Sequence, residues 1–188
     1  MARLLLLLLF IPFNSRAQNA ETDKIYDFLN QVFKGNDKND TNINITYLVD
    51  KPEFHYIKRL VGTEPGMSVA IEDSSIFTPS DIIQIIKRMY ELRNFKFKKD
   101  KIQNVRIVSN KKVNKVFRKN GWNHQSEKTD VRDGFVVLSV PLFFDNGQKA
   151  IFCYSNICGL LCGGGQVAIY ENIAGKWVRK KFILFWIN

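Results

Sequence analysis

The chain has 188 residues, of which 45% are hydrophobic and 13% aromatic, a composition that is typical of globular proteins and argues against a disordered or fibrous chain. Its formal net charge of +10 at pH 7 favours anionic partners over cationic ones. Its three cysteines and two histidines have no familiar zinc-binding spacing.

The start of the chain, MARLLLLLLFIPFNSRA (1–17), predicts a secretory signal peptide. Arg3 supplies a short positive region, residues 4–13 are apolar, and Ser15 and Ala17 are small residues near the cleavage point. The apolar run has about ten residues, whereas a membrane-spanning helix needs roughly 20. We therefore expect cleavage near Ala17 and a mature chain, residues 18–188, that is exported to the periplasm or the medium as one soluble domain without a transmembrane segment.

The N-terminal half predicts helices that alternate with strands and polar loops. Apolar residues at helical spacing between Lys24 and Lys34 predict a first helix. Residues 43–49, INITYLV, alternate like a strand, and residues 67–73, MSVAIED, predict another. His55 alternates with two aromatic neighbours and is expected in a strand rather than at a ligand site.

A helix from about Pro79 to Arg93 has the clearest start signal in the chain. Thr78 is suited to cap the helix, Pro79 to occupy its first position and Asp81 to complete a capping box. An apolar stripe at helical spacing is then expected to face the core. The stripe consists of Ile82, Ile83, Ile86, Met89 and Tyr90.

Positive charge is concentrated between Lys87 and Lys119. This segment has 13 Lys or Arg residues against two acids, a net charge of +11, whereas the mature chain as a whole has a net charge of +8. Such a segment can bind an anionic envelope or glycan surface by charge, although a solvated face without a partner has the same composition. Export argues against nucleic acid as the partner. The candidate anion-binding residues are Lys96, Lys98, Lys99, Lys101, Arg106, Lys111 and Lys112.

The C-terminal part, about residues 134–188, predicts an antiparallel meander of about four strands. Apolar runs are separated by the turn signals Asp145-Asn146-Gly147 and residues 172–175. Pro141 is expected at an edge or a bulge, because proline cannot donate a hydrogen bond to a neighbouring strand. Helices early in the chain and an antiparallel sheet at its end predict an α+β fold.

This C-terminal stretch also carries a set of motifs in a fixed order. They are Ser139, Pro141 and Phe143 in a strand, the turn and strand from Asp145 to Ala150, the hairpin Cys158–Gly165, Gly175–Trp177, and the end Trp186–Asn188. The stretch resembles a family of uncharacterised exported bacterial proteins with a C-terminal CGxxCGxG hairpin followed by a GKW strand. The resemblance covers about 50 of the 188 residues and implies export and a sheet, but no activity. The chain departs from the pattern at Asn188, where a serine is usual, and at Cys153.

The stretch CGLLCGGG, residues 158–165, has several structural or chemical interpretations. A disulfide between Cys158 and Cys162 suits an oxidising compartment and leaves Cys153 as a free thiol. Alternatively, Cys162 is a nucleophile, with His55 or His124 as its base and the amides of the following glycines as an oxyanion hole. A reversible redox pair is a third use, although the spacing is C-x-x-x-C rather than C-x-x-C.

The sequence contains no complete catalytic signature and indicates no catalytic residue, metal site or cofactor. We therefore expect a non-enzymatic exported domain that binds a partner or is associated with the envelope, with a disulfide-stapled hairpin in its sheet. One alternative is a small secreted hydrolase or transferase that uses a cysteine or a cleft acid. Another is an anion-binding envelope protein that uses the basic segment.

Overall fold

The computed structural model describes residues 19–33, 47–63, 76–103, 105–120, 134–158 and 162–187. Four helices are described: α1 (19–33), α2 (His55–Leu60), α3 (Pro79–Leu92) and α4 (Asn110–Asn120). Seven strands form one sheet: β1 (Tyr47–Val49), β2 (Arg106–Val108), β3 (Phe135–Leu138), β4 (Leu142–Phe144), β5 (Lys149–Ile157), β6 (Gly163–Ile173) and β7 (Lys176–Ile187). The predicted signal peptide, the predicted strand at 67–73 and His124 lie outside the described residues.

The sheet has the strand order β2-β1-β3-β5-β6-β7, and β4 also pairs with β5. The strands from β3 to β7 pair antiparallel, which confirms the predicted α+β class and the C-terminal meander. The strand predicted at 43–49 is described as β1, which pairs in parallel with both β2 and β3. The short β1 therefore lies inside the sheet, and among the described strands β2 and β7 stand at the two ends of this order.

The run GFVVLSVPLFF, residues 134–144, forms two strands rather than one. Leu138 pairs with Tyr154 and Leu142 with Ile151, so three residues of this run stand opposite two residues of β5. Pro141 lies in this interruption, as the sequence predicted for a bulge. The hydroxyl of the fully buried Ser139 accepts a hydrogen bond of 2.9 Å from the amide of Cys153, which satisfies the ladder at this point.

Helices α1 and α2 cover opposite faces of the sheet. Phe28 of α1 is fully buried and makes edge-to-face contacts with four aromatic rings at centroid distances of 5.1 to 6.1 Å. Those rings belong to Phe143, Phe152, Tyr170 and Trp177. Tyr56 of α2 instead stacks on Trp186 at 3.9 Å, and the register through Gly165 places Trp186 on the face opposite to Phe152.

The start of α3 confirms the predicted capping box. The Thr78 hydroxyl accepts from the amide of Asp81 at 3.2 Å, and the Asp81 carboxylate accepts from the amide of Thr78 at 2.9 Å. The predicted apolar stripe was partly wrong, because Ile85 is fully buried whereas Ile83 and Tyr90 are exposed. The buried side of the helix is centred on Ile85 and Met89, a spacing of four residues that suits one helical face.

The strand predicted around His55 was also wrong. His55 begins α2, whose buried residues Ile57 and Leu60 are three positions apart. A spacing of three places both side chains on one side of a helical turn, whereas strand alternation would point them to opposite faces. No helix among the described residues is long and apolar enough to cross a membrane.

Candidate functional site

The CGLLCGGG stretch connects β5 to β6 through a disulfide. Cys158 and Cys162 are bonded with a Cα–Cα distance of 5.1 Å, and the amide of Cys158 donates to the carbonyl oxygen of Cys162 at 3.1 Å. The predicted disulfide is confirmed. Because the sulfur of Cys162 is held in this bond, it is not a nucleophile while the bond is intact.

The glycines after Cys162 have a packing role. Gly164 and Gly165 pair with β5 on one side and with Ile187 and Trp186 of β7 on the other, so their amides belong to a three-stranded ladder. A Cβ atom on Gly165 would overlap the Trp186 ring and lie 2.5 Å from the Tyr154 carbonyl oxygen. Glycine therefore lets the indole ring lie across β6, and the geometry does not present these amides as an oxyanion hole.

Cys153 is the free cysteine and lies in the core of β5, with 6% of its surface exposed. Burial raises the pKa of its thiol far above the ordinary range, and the nearby charge of Glu53 raises it further. A thiol that stays protonated in an apolar environment is a poor nucleophile. Cys153 therefore behaves as a small apolar residue of the core.

A cleft of about 390 Å³ lies between α2 and α3. His55, Lys58 and Arg93 line it. Glu53 also lines the cleft, as do the buried Phe54 and Met89. Because acid and base are mixed, the cleft favours no single charge of ligand. The described residues contain no group of three or more His, Cys, Asp or Glu side chains that could hold a metal ion.

The seven basic residues singled out from the sequence are all exposed. We call them the cationic surface: Lys96, Lys98, Lys99, Lys101, Arg106, Lys111 and Lys112. Apolar residues that alternate with them are buried, among them Phe97 at 3% and Ile102 at 4% exposure. The alternation anchors the backbone in the core and leaves the charges in water.

Helix α1 fixes the loop that carries four of these lysines. The Tyr26 hydroxyl accepts from the amide of Lys98 at 2.8 Å, and Asn30 both donates to the carbonyl oxygen of Lys101 at 2.9 Å and accepts from the amide of Gln103 at 3.0 Å. Burial raises the pKa of Tyr26, and the hydrogen bond from Lys98 acts in the opposite direction. Because all three bonds go to backbone atoms, they fix the loop without engaging a lysine ammonium group.

Asp50, at the end of β1, joins that loop to the start of α4. Its carbonyl oxygen accepts from the amide of Phe97 at 2.9 Å, and its carboxylate accepts from the amide of Asn110 at 2.8 Å. Lys96 and Lys98 flank the first contact, and Lys111 follows the second. Asp50 therefore ties the backbone beside Lys96 and Lys98, and the start of α4 beside Lys111, to the end of β1.

The cationic surface has far more basic than acidic residues in its own sequence, since Asp100 is the single acid between Lys96 and Lys112. Among the described residues, none of its six lysines forms an ion pair. Arg106 donates to the Tyr47 hydroxyl at 3.4 Å, which is a neutral partner. By contrast, Arg88 on α3 pairs with both Glu21 and Glu91. Basic side chains without acidic partners can attract anions, and such attraction weakens as salt screens it.

Comparison of the chain with protein-family models, with curated proteins and with solved structures finds no match in any of the three. The resemblance of the C-terminal motifs to an exported bacterial family therefore stays a prediction.

Sequence reasoning found the basic residues but missed the groups that position them. Tyr26 and Asn30 are four positions apart on α1, a spacing that places both on one helical face, but nothing local indicates that this face binds a loop so distant in sequence. Asp50 precedes the Lys51-Pro52 break and looks like an ordinary turn residue. Its role depends on the parallel pairing of β1 with β2, which brings residues 50 and 110 together.

Proposed function

We propose that this protein is an exported, non-enzymatic binding domain of the cell envelope whose partner is an anionic glycan. The observation that carries the proposal is the cationic surface. Its lysines are exposed and form no ion pair among the described residues, and Asp50 holds part of the backbone that carries them. Asp100 is the single acid between Lys96 and Lys112. A repeating anionic polymer can contact several of these lysines at once, which strengthens binding beyond that of a single charge.

Two features of the chain argue against a cysteine nucleophile, and a third supports export. The sulfur atoms of Cys158 and Cys162 form a disulfide, and the thiol of Cys153 is buried. The predicted signal peptide supports export, and export into an oxidising compartment suits the disulfide. A glycan is favoured over nucleic acid because an exported protein meets anionic envelope polymers first.

Binding of a fluorescently labelled sulfated dextran, measured by anisotropy across a salt series, tests this function. The double variant Lys98→Gln/Lys111→Gln removes two charges from the cationic surface, one in the loop and one on α4. We expect the slope of log affinity against log salt to fall by about two, as for the loss of two ionic contacts. Uncharged dextran should not bind.

A matched control removes the same charge from β7, beyond the start of the strand that α1 contacts through Gln31. Lys180 and Lys181 are exposed on β7, so Lys180→Gln/Lys181→Gln lowers the net charge equally. We expect this control to retain most of the wild-type affinity and slope. Equal losses in the two double variants would show that only net charge matters, and no binding by the wild type at low salt would overturn the proposal.

A further inference from the structure

The cleft between α2 and α3 is lined by charged residues of both signs. Glu53 lies just before α2, and Arg93 is the C-cap residue of α3, so an acid and a base come from the two elements that border the cleft. Both residues are exposed, and within the described part of the chain neither forms an ion pair. The two charges therefore border one small cavity without neutralising each other.

The same cleft has apolar groups in its lining. Phe54 and Met89 line it although they are only 8% and 5% exposed, and Tyr90 lines it with 63% of its surface exposed. Its volume of about 390 Å³ is at the lower end of the roughly 300–1,000 Å³ that small-molecule sites occupy. Such sites combine apolar residues with a few polar groups. The cleft is therefore suited to a small molecule that has both charged and apolar groups.

The two opposite charges indicate the class of ligand. A simple anion could pair with Arg93, but Glu53 would repel it, and a simple cation would meet the reverse situation. A molecule with one ammonium and one carboxylate group complements both residues, and a carboxylate can accept two parallel hydrogen bonds from a guanidinium group. Amino acids and short peptides have these two groups. Those with an aliphatic or aromatic side chain also complement the apolar lining.

We propose that this cleft binds a zwitterionic amino acid or dipeptide with an apolar side chain, with the ligand's ammonium group at Glu53 and its carboxylate at Arg93. This goes beyond the proposed glycan binding, because neither residue belongs to the cationic surface. In a longer peptide, each extended residue adds about 3.3–3.6 Å between the charged ends, which separates them too far for a cavity of this size. The amino acid and the dipeptide share the same chemistry, and the experiment distinguishes them.

Isothermal titration calorimetry with L-leucine and with leucyl-leucine tests the proposal. Tighter binding of leucine would identify a free amino acid as the ligand, and tighter binding of leucyl-leucine would identify a dipeptide. The N-acetylated form of the tighter ligand lacks the ammonium charge, and its C-terminal amide lacks the carboxylate. Each of these neutralised forms should bind about tenfold or more weakly, as expected for the loss of a hydrogen bond to a charged group.

Single substitutions assign each ligand charge to a residue. Glu53→Gln should bind the tighter ligand about tenfold or more weakly but should bind its N-acetylated form as the wild type does, because that form already lacks the contact. Arg93→Gln should likewise discriminate against the tighter ligand but not against its amide. Asp23→Asn and Lys181→Gln remove the same charges at exposed positions that do not line the cleft. These two controls should bind like the wild type.

Three results would overturn the proposal. They are no heat of binding with either ligand at millimolar concentration, equal binding of the tighter ligand and its neutralised forms, and equal binding by the wild type and both cleft variants. Because Glu53 and Arg93 are exposed, the urea midpoints of their variants should match that of the wild type and exclude misfolding as the cause. Glu53→Gln should also retain sulfated-dextran binding, so that failure of the cleft proposal and failure of glycan binding are distinguished.

Discussion

Substitution of Asp50 tests whether dextran binding depends on where the lysines are held or only on the net charge of the protein. Asp50→Ala and Asp50→Asn both remove one negative charge, so both raise the net charge by one. Asparagine keeps a side-chain oxygen that can accept from the amide of Asn110, whereas alanine leaves that amide, 2.8 Å from the wild-type carboxylate, without its partner. If charge alone governs binding, both variants should bind sulfated dextran more tightly. If position matters, the alanine variant should bind less tightly than the asparagine variant.

The structure sets the expected loss of stability in these variants. A hydrogen bond to a charged acceptor contributes about 1.5–3 kcal/mol, and loss of a helix-capping acceptor costs about 1 kcal/mol. Because Asp50 is only partly buried, we expect Asp50→Ala to lower the free energy of unfolding by about 1.5–2 kcal/mol, or Tm by roughly 5 °C. Asp50→Asn should lose less than half of this.

Urea unfolding gives the stability of each variant, and anisotropy titration of labelled sulfated dextran gives its affinity. Titrations must be run well below the midpoint of the alanine variant, so that weaker binding cannot come from unfolded protein. An Asp50→Ala variant whose unfolding free energy lies within about 0.5 kcal/mol of the wild-type value, or whose dextran affinity equals that of Asp50→Asn, would refute the idea that this carboxylate holds the surface together.

Three further predictions concern the core and the hairpin. Replacing Cys158 and Cys162 together by serine should lower the free energy of unfolding by about 2 kcal/mol in the chain-entropy model, measured by urea unfolding without reductant, and no change would contradict the stapling role. Phe28→Ala removes a fully buried ring in contact with four others and should cost about 3–5 kcal/mol, whereas Ile83→Ala at an exposed position should change stability by less than about 0.5 kcal/mol. Burial raises the pKa of the Cys153 thiol, so the native thiol stays neutral where the unfolded one ionises. Its contribution to stability is therefore fully present below the ordinary thiol pKa and is lost as pH rises above it. The fall in unfolding free energy between pH 8 and pH 10 should be smaller in Cys153→Ala, and an unchanged slope would contradict the assignment.

The features that local chemistry determines could be predicted from the sequence. The start of α3 depends on Thr78 and Asp81, three positions apart, and both capping bonds form as expected. The disulfide closes over four positions, a separation that already limits the distance between the two α-carbons. Pro141 lacks an amide donor and lies at an interruption of the sheet. In each case the deciding atoms lie within a few residues of one another.

Other features depend on contacts between distant residues. The six residues of α2 are too few for a periodicity to distinguish helix from strand, and packing of Ile57 and Leu60 into the core decides between them. The predicted apolar stripe on α3 was partly wrong because the sequence has apolar residues on more than one side of the helix. Only the neighbouring elements determine that Ile85 is buried. The insertion of β1 between β2 and β3 likewise has no local signal.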